Sequence, residues 1–110
     1  MVTSPSSRSR IMIPAKKLAG FCQHWQISEL ALFGSVIRDD FHAGSDVDML
    51  VSFTPHAHWT LFDLVDMQSE LKKILGREVD LVERKAIEKS ENYIRRRNIL
   101  SDAVVIYAAR

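Results

Sequence analysis

Four residues within Leu30 to Phe53, LALFGSVIRDDFHAGSDVDMLVSF, have the types and spacing to do chemistry: Gly34, Ser35, Asp46 and Asp48. An apolar run, Leu30-Ala31-Leu32-Phe33, stops at Gly34-Ser35. Ten residues later Asp46 and Asp48 flank Val47 at the start of a second apolar run. In a strand, residues two apart share a face, so the two aspartates point the same way. Paired carboxylates on an otherwise apolar strand repel each other and are costly to desolvate unless something positive lies between them. A divalent cation is the simplest remedy. Oxygen donors alone favour a hard ion such as Mg²⁺, which shares one or two carboxylates with substrate phosphates, and this suggests a nucleoside triphosphate. Gly34 lets the backbone turn sharply and approach a ligand, and Ser35 adds a hydroxyl and an amide. A short helix starting near Ser35 would favour a phosphate there.

Two plainer readings compete. Asp-x-Asp occurs in calcium loops, but those continue with polar ligands and a glycine, whereas Met49, Leu50 and Val51 follow here. A lone Gly-Ser is usually an ordinary turn.

Gly34-Ser35, ten residues, then Asp46-Val47-Asp48 resembles the Gly-Ser-x10-Asp-x-Asp signature of the nucleotidyltransferase superfamily that includes DNA polymerase beta. The small size resembles its minimal, MNT-type antitoxin branch. The resemblance covers about Leu18 to Val82 and implies a third carboxylate on a later strand, where Asp80 stands in Arg77-Glu78-Val79-Asp80-Leu81-Val82. It implies a polymerase-beta-like fold, an α+β arrangement of a small mixed sheet with flanking helices. It also implies that Asp46, Asp48 and Asp80 hold up to two Mg²⁺ ions. Asp80 completes the second metal position or acts as the base for the attacking hydroxyl. Gly34 and Ser35 would cradle the β- and γ-phosphates of ATP. Arg38 either reaches the triphosphate or pairs with Asp39 and Asp40. The acceptor implied is a tyrosine of a HEPN-type ribonuclease toxin, held in a hetero-oligomer. Two rivals stand beside this: a subunit that neutralises its partner by contact alone, and transfer to a small molecule or an RNA end.

The elements that must position these residues can be read from periodicity. Leu18, Phe21, Cys22 and Trp25 repeat at helical spacing behind Pro14, which predicts a first helix over Pro14 to Gln26, with His24 on the solvent side. A strand over Glu29 to Phe33 and a second from Val47 follow, and Pro55 stops the second. His56 and His58 lack the further ligands a zinc site needs and read as loop residues. Thr60 and Asp63 have capping-box spacing. Leu61, Leu64, Val65, Leu71, Ile74 and Leu75 form one apolar face, and Gly76 ends the helix. That helix is a crossover between the Asp48 strand and the Asp80 strand, which can set them side by side with Val79 and Leu81 packed beneath it. Beyond Arg84 one or two helices carry Arg95-Arg96-Arg97, either a solvated face or a partner or RNA surface. Ala103 to Tyr107 reads as strand or helix.

With 110 residues, 46% of them hydrophobic, one compact domain over residues 13–110 is expected behind a disordered tail at residues 1–12. A formal net charge of +1 gives no reason to require a nucleic-acid partner. The lone Cys22 cannot form an internal disulfide, and no apolar run approaches a membrane span. A reducing, cytoplasmic setting is therefore the default expectation.

Overall fold

The computed structural model describes residues 13–37 and 45–109. The expected tail, and Arg38, Asp39, Asp40 and His42, lie outside the described residues. Helix α1 spans Ala15–His24 and strand β1 Ile27–Phe33, which runs into a 3-10 turn at Gly34–Ile37. Strand β2 (Val47–Phe53), helix α2 (Leu61–Leu75), strand β3 (Val79–Glu83), short helix α3 (Arg84–Glu88), helix α4 (Tyr93–Asp102) and strand β4 (Val104–Ala108) follow. The strands form one mixed sheet in the order β3-β2-β1-β4. Strand β1 is antiparallel to β2 and β4, while β2 and β3 are parallel.

Helix α1 starts after Pro14, whose fixed φ of −72° suits a helix entrance. It ends at His24, two residues before the expected Gln26. Gln26 adopts a φ of +55°, and its amide bonds back to the Gln23 carbonyl, which turns the chain into β1. The Gln26 carbonyl then accepts the Thr54 amide at 2.9 Å, tying the beginning of β1 to the end of β2. Nearby the Trp25 and Trp59 rings meet edge to face at 5.0 Å. The Trp59 indole donates to the Trp25 carbonyl at 2.8 Å, and the Trp25 indole donates to Glu70 Oε2 at 3.0 Å, so both polar tips are satisfied.

The crossover helix forms as its ends dictate. The Thr60 hydroxyl accepts the Asp63 amide while the Asp63 carboxylate accepts the Thr60 amide at 2.8 Å, and Gly76 closes the helix at φ +70°. Its buried stripe differs from expectation. Met67 and Leu71 are fully buried, with Leu64, Ile74 and Leu75 packed beside them, whereas Leu61 and Val65 are 77% and 54% exposed. Leu61 continues the stripe by one turn but has no core beneath it, and Val65 lies to one side.

Both faces of the sheet are covered. On one, α1 and α2 pack onto Leu30, Leu32, Val47, Met49, Val79 and Leu81. On the other, Ala31, Phe33 and Leu50 meet Ile87 of α3, with Ile99 and Leu100 of α4 behind them. Helix α4 has no fully buried residue, so it is the most loosely held of the longer helices. Strand β3 is a sheet edge, and its Leu81 amide is satisfied by Gln68 Oε1 of α2 at 2.7 Å, which ties crossover to edge. No helix among the described residues is long and apolar enough to cross a membrane.

Candidate active site

Asp48 alternates with the buried Val47 and Met49, so its side chain emerges on the sheet face covered by α3 and α4. Its register partners make the site. In β1 it stands opposite Phe33, the last residue before Gly34, and in β3 it stands opposite Asp80. The parallel pairing expected from the crossover thus places Asp48 and Asp80 side by side on one face. Asp48 is half-buried and Asp80 exposed. Asp46, also exposed, lies just before β2.

Gly34 closes the site from β1. It has φ +74°, a conformation L side chains rarely adopt, and a Cβ there would collide with Asp48 Oδ2 and stand 3.3 Å from its Cγ. The glycine is therefore required twice, by its own backbone and by the carboxylate packed against it. Ser35 follows in the 3-10 turn. A single turn has little dipole, so what it offers an anion is free amides and the Ser35 hydroxyl rather than the end of a long helix.

A cleft of about 470 Å³ opens here. Phe33, Gly34, Ile37 and Asp48 line its sheet side; Asn92, Arg95, Asn98, Ile99 and Asp102 of the α4 segment line the other. Its size suits a nucleotide-sized ligand, and its walls mix apolar side chains with charged and amide groups. From the sequence, Asn92, Asn98, Ile99 and Asp102 have no part in the site, and the arginine run reads as a solvated face or as a partner or RNA surface. Positions 95, 98, 99 and 102 have the spacing of one helix face, which was the available signal. His58 lines a different cavity, with Trp59 and Arg84.

The donor set fits a hard cation that is only partly coordinated by protein. Asp48 and Asp80 offer oxygen donors in adjacent register, yet among the described residues no three His, Cys, Asp or Glu side chains gather closely enough to hold a metal alone. With Asp48 lining an open cleft and Asp80 on the neighbouring strand, the remaining coordination positions fall to substrate oxygens, the habit of Mg²⁺.

The nucleotidyltransferase domain model matches residues 15–106, from the start of α1 into β4. The chain belongs to that family. Among curated relatives, "Putative protein adenylyltransferase MJ1379" of Methanocaldococcus jannaschii is 33% identical over 63 residues, 57% of this chain and 63% of that protein. The chain thus spans less than two thirds of that relative's length. A solved "putative minimal nucleotidyltransferase" is 28% identical and superposes with a TM-score of 0.62 over 82% of this chain and 88% of its own. A toxin-antitoxin structure determined with AMP-PNP shares the fold with a TM-score of 0.64 and 16% identity, over 86% of this chain and 73% of that one.

Proposed function

We propose that the chain is a Mg²⁺-dependent nucleotidyltransferase acting as the antitoxin of a toxin-antitoxin pair. In this reading it moves AMP from ATP to a tyrosine of a HEPN-type ribonuclease partner with which it forms a hetero-oligomer. The observation that carries this is the packing of Gly34 against Asp48 on the wall of a nucleotide-sized cleft, with Asp80 in register beside Asp48 on the neighbouring strand. Support for the acceptor class comes from the relative named as a protein adenylyltransferase. Support for ATP and for a toxin partner comes from the fold shared with the toxin-antitoxin structure containing AMP-PNP.

In this reading Asp46 and Asp48 would share the metal with substrate phosphate oxygens, and Asp80 would act as the base. When bound, Mg²⁺ offsets the charge on the phosphate oxygens and favours ionisation of the attacking hydroxyl. The chain's own groups do the rest. Gly34 lets the β- and γ-phosphates approach the backbone, Ser35 donates to them, and Arg38 adds positive charge. The tyrosine oxygen attacks the α-phosphorus in line, its proton passes to the Asp80 carboxylate, and the bond from the α-phosphorus to the bridging oxygen breaks. Pyrophosphate leaves with that electron pair, and a phosphodiester to the tyrosine remains.

Intact-mass spectrometry of a HEPN-type partner incubated with this protein, ATP and Mg²⁺ tests the reading. The expected result is the addition of one or more AMP units, with ribonuclease inhibition that outlasts removal of the antitoxin. An unmodified partner inhibited equally by wild type and by Asp46→Asn would make the chain an inhibitor by contact.

A further inference from the structure

The three consecutive arginines of α4 have three different fates. Arg96 is occupied: its guanidinium donates to the Ser90 carbonyl at 3.1 Å and the Glu88 carbonyl at 3.4 Å, and it lies 5.4 Å from the centroid of the Tyr93 ring. Arg97, exposed like Arg95, is no part of the cleft. Arg95 lines the cleft across from Gly34 and Asp48, and it is the one cationic residue among the described residues of that lining, where Asp48 and Asp102 are the anionic ones.

A substrate carrying phosphates beside Asp48 would meet two carboxylates, and Arg95 is the side chain of opposite sign placed to meet it. The helix supports the same conclusion. Arg95 sits in the first turn of α4, which contains no acidic residue, so its charge opposes the helix dipole and gains from a bound anion. Asn98, one turn on, faces the same cleft with an amide able to donate and accept.

We propose that Arg95 is a phosphate-binding residue of the cleft, gripping the nucleotide's phosphate oxygens from the α4 side while Gly34 and Ser35 hold them from the sheet side. The inference rests on the nucleotidyltransferase reading of the cleft. It makes α4, the loosely held helix, the wall that ATP tightens.

Binding of ATP with Mg²⁺ and of adenosine is measured by calorimetry on wild type, Arg95→Gln, Arg95→Lys and Arg97→Gln. Arg95→Gln is expected to weaken ATP about tenfold or more while leaving adenosine within about twofold, because a charge-assisted bond to phosphate is lost and no contact to the nucleoside is. Arg95→Lys should recover part of the loss, and Arg97→Gln should match wild type. Equal ATP affinities for Arg95→Gln and Arg97→Gln would overturn the inference, as would parallel losses for ATP and adenosine, which would mark Arg95 as structural. Wild type that binds neither ligand would sink the inference and the transferase reading together. Wild type that binds ATP through Arg95 yet transfers nothing would sink the transferase reading alone.

Discussion

Gly34 and Asp48 constrain each other more tightly than any other pair in the site. A side chain at position 34 must displace the Asp48 carboxylate and adopt φ +74°. Gly34→Val is therefore expected to destabilise the fold by about 1–3 kcal/mol and to lower transfer more than Ser35→Ala does. Ser35→Ala removes one hydroxyl contact worth about 0.5–1.5 kcal/mol, and Asp46→Asn should also cost more than that. Steady-state kinetics beside urea unfolding gives the ranking, and the reverse order would remove the phosphate-cradle role. Asp48→Asn should abolish transfer while the circular dichroism spectrum of the folded chain persists. Full activity of that variant, or of wild type in excess chelator, would remove the metal assignment.

At the scale of the element, α2 follows its sequence pattern at Leu64, Leu71, Ile74 and Leu75, which pack into the core as expected, and departs from it at its first turns. Met67 is fully buried and Leu61 mostly exposed, although the apolar face read from the sequence included Leu61 and not Met67. Met67→Ala is expected to cost about 2–5 kcal/mol in urea unfolding, and Leu61→Ala to stay within about 0.5 kcal/mol of wild type. Thr60→Ala should cost about 1 kcal/mol by opening the capping box. A large loss at Leu61 would mean that the turn is covered in solution. The capping box and Gly76 were legible because they act within a few residues. The burial of Met67 was not, because it depends on the sheet and on α1.

Across the whole molecule the buried side chains impose a pH limit. Burial pushes the Cys22 thiol up to about 12, and it raises the Tyr107 hydroxyl, with the Cys22 charge adding to that rise. Both groups stay protonated in the folded chain at pH values where the unfolded chain ionises. Above about pH 9 the unfolded state therefore binds fewer protons, and stability falls as pH rises toward about 12. Melting temperatures followed across that window should decline, and Cys22→Ala should shallow the decline. An unchanged slope in that variant would remove Cys22 as the cause. The sequence by itself determined the crossover, the end of β1 at Gly34, the start of β2 at Val47 and the sharing of one face by Asp46 and Asp48, while the register of Asp48 with Asp80 came from the sheet. The features set by sequence follow from two-residue alternation, short-range capping and the handedness of a strand-helix-strand unit. Only the tertiary structure decided that the Ala103 to Tyr107 segment supplies a strand, Val104–Ala108, beside β1, because a short apolar run takes its form from the edge available to it. Tertiary packing likewise brought Arg95 and Asn98 against Asp48. They come from a helix far along the chain, and side chains that distant meet only when a sheet face and the helix lying on it close a cleft.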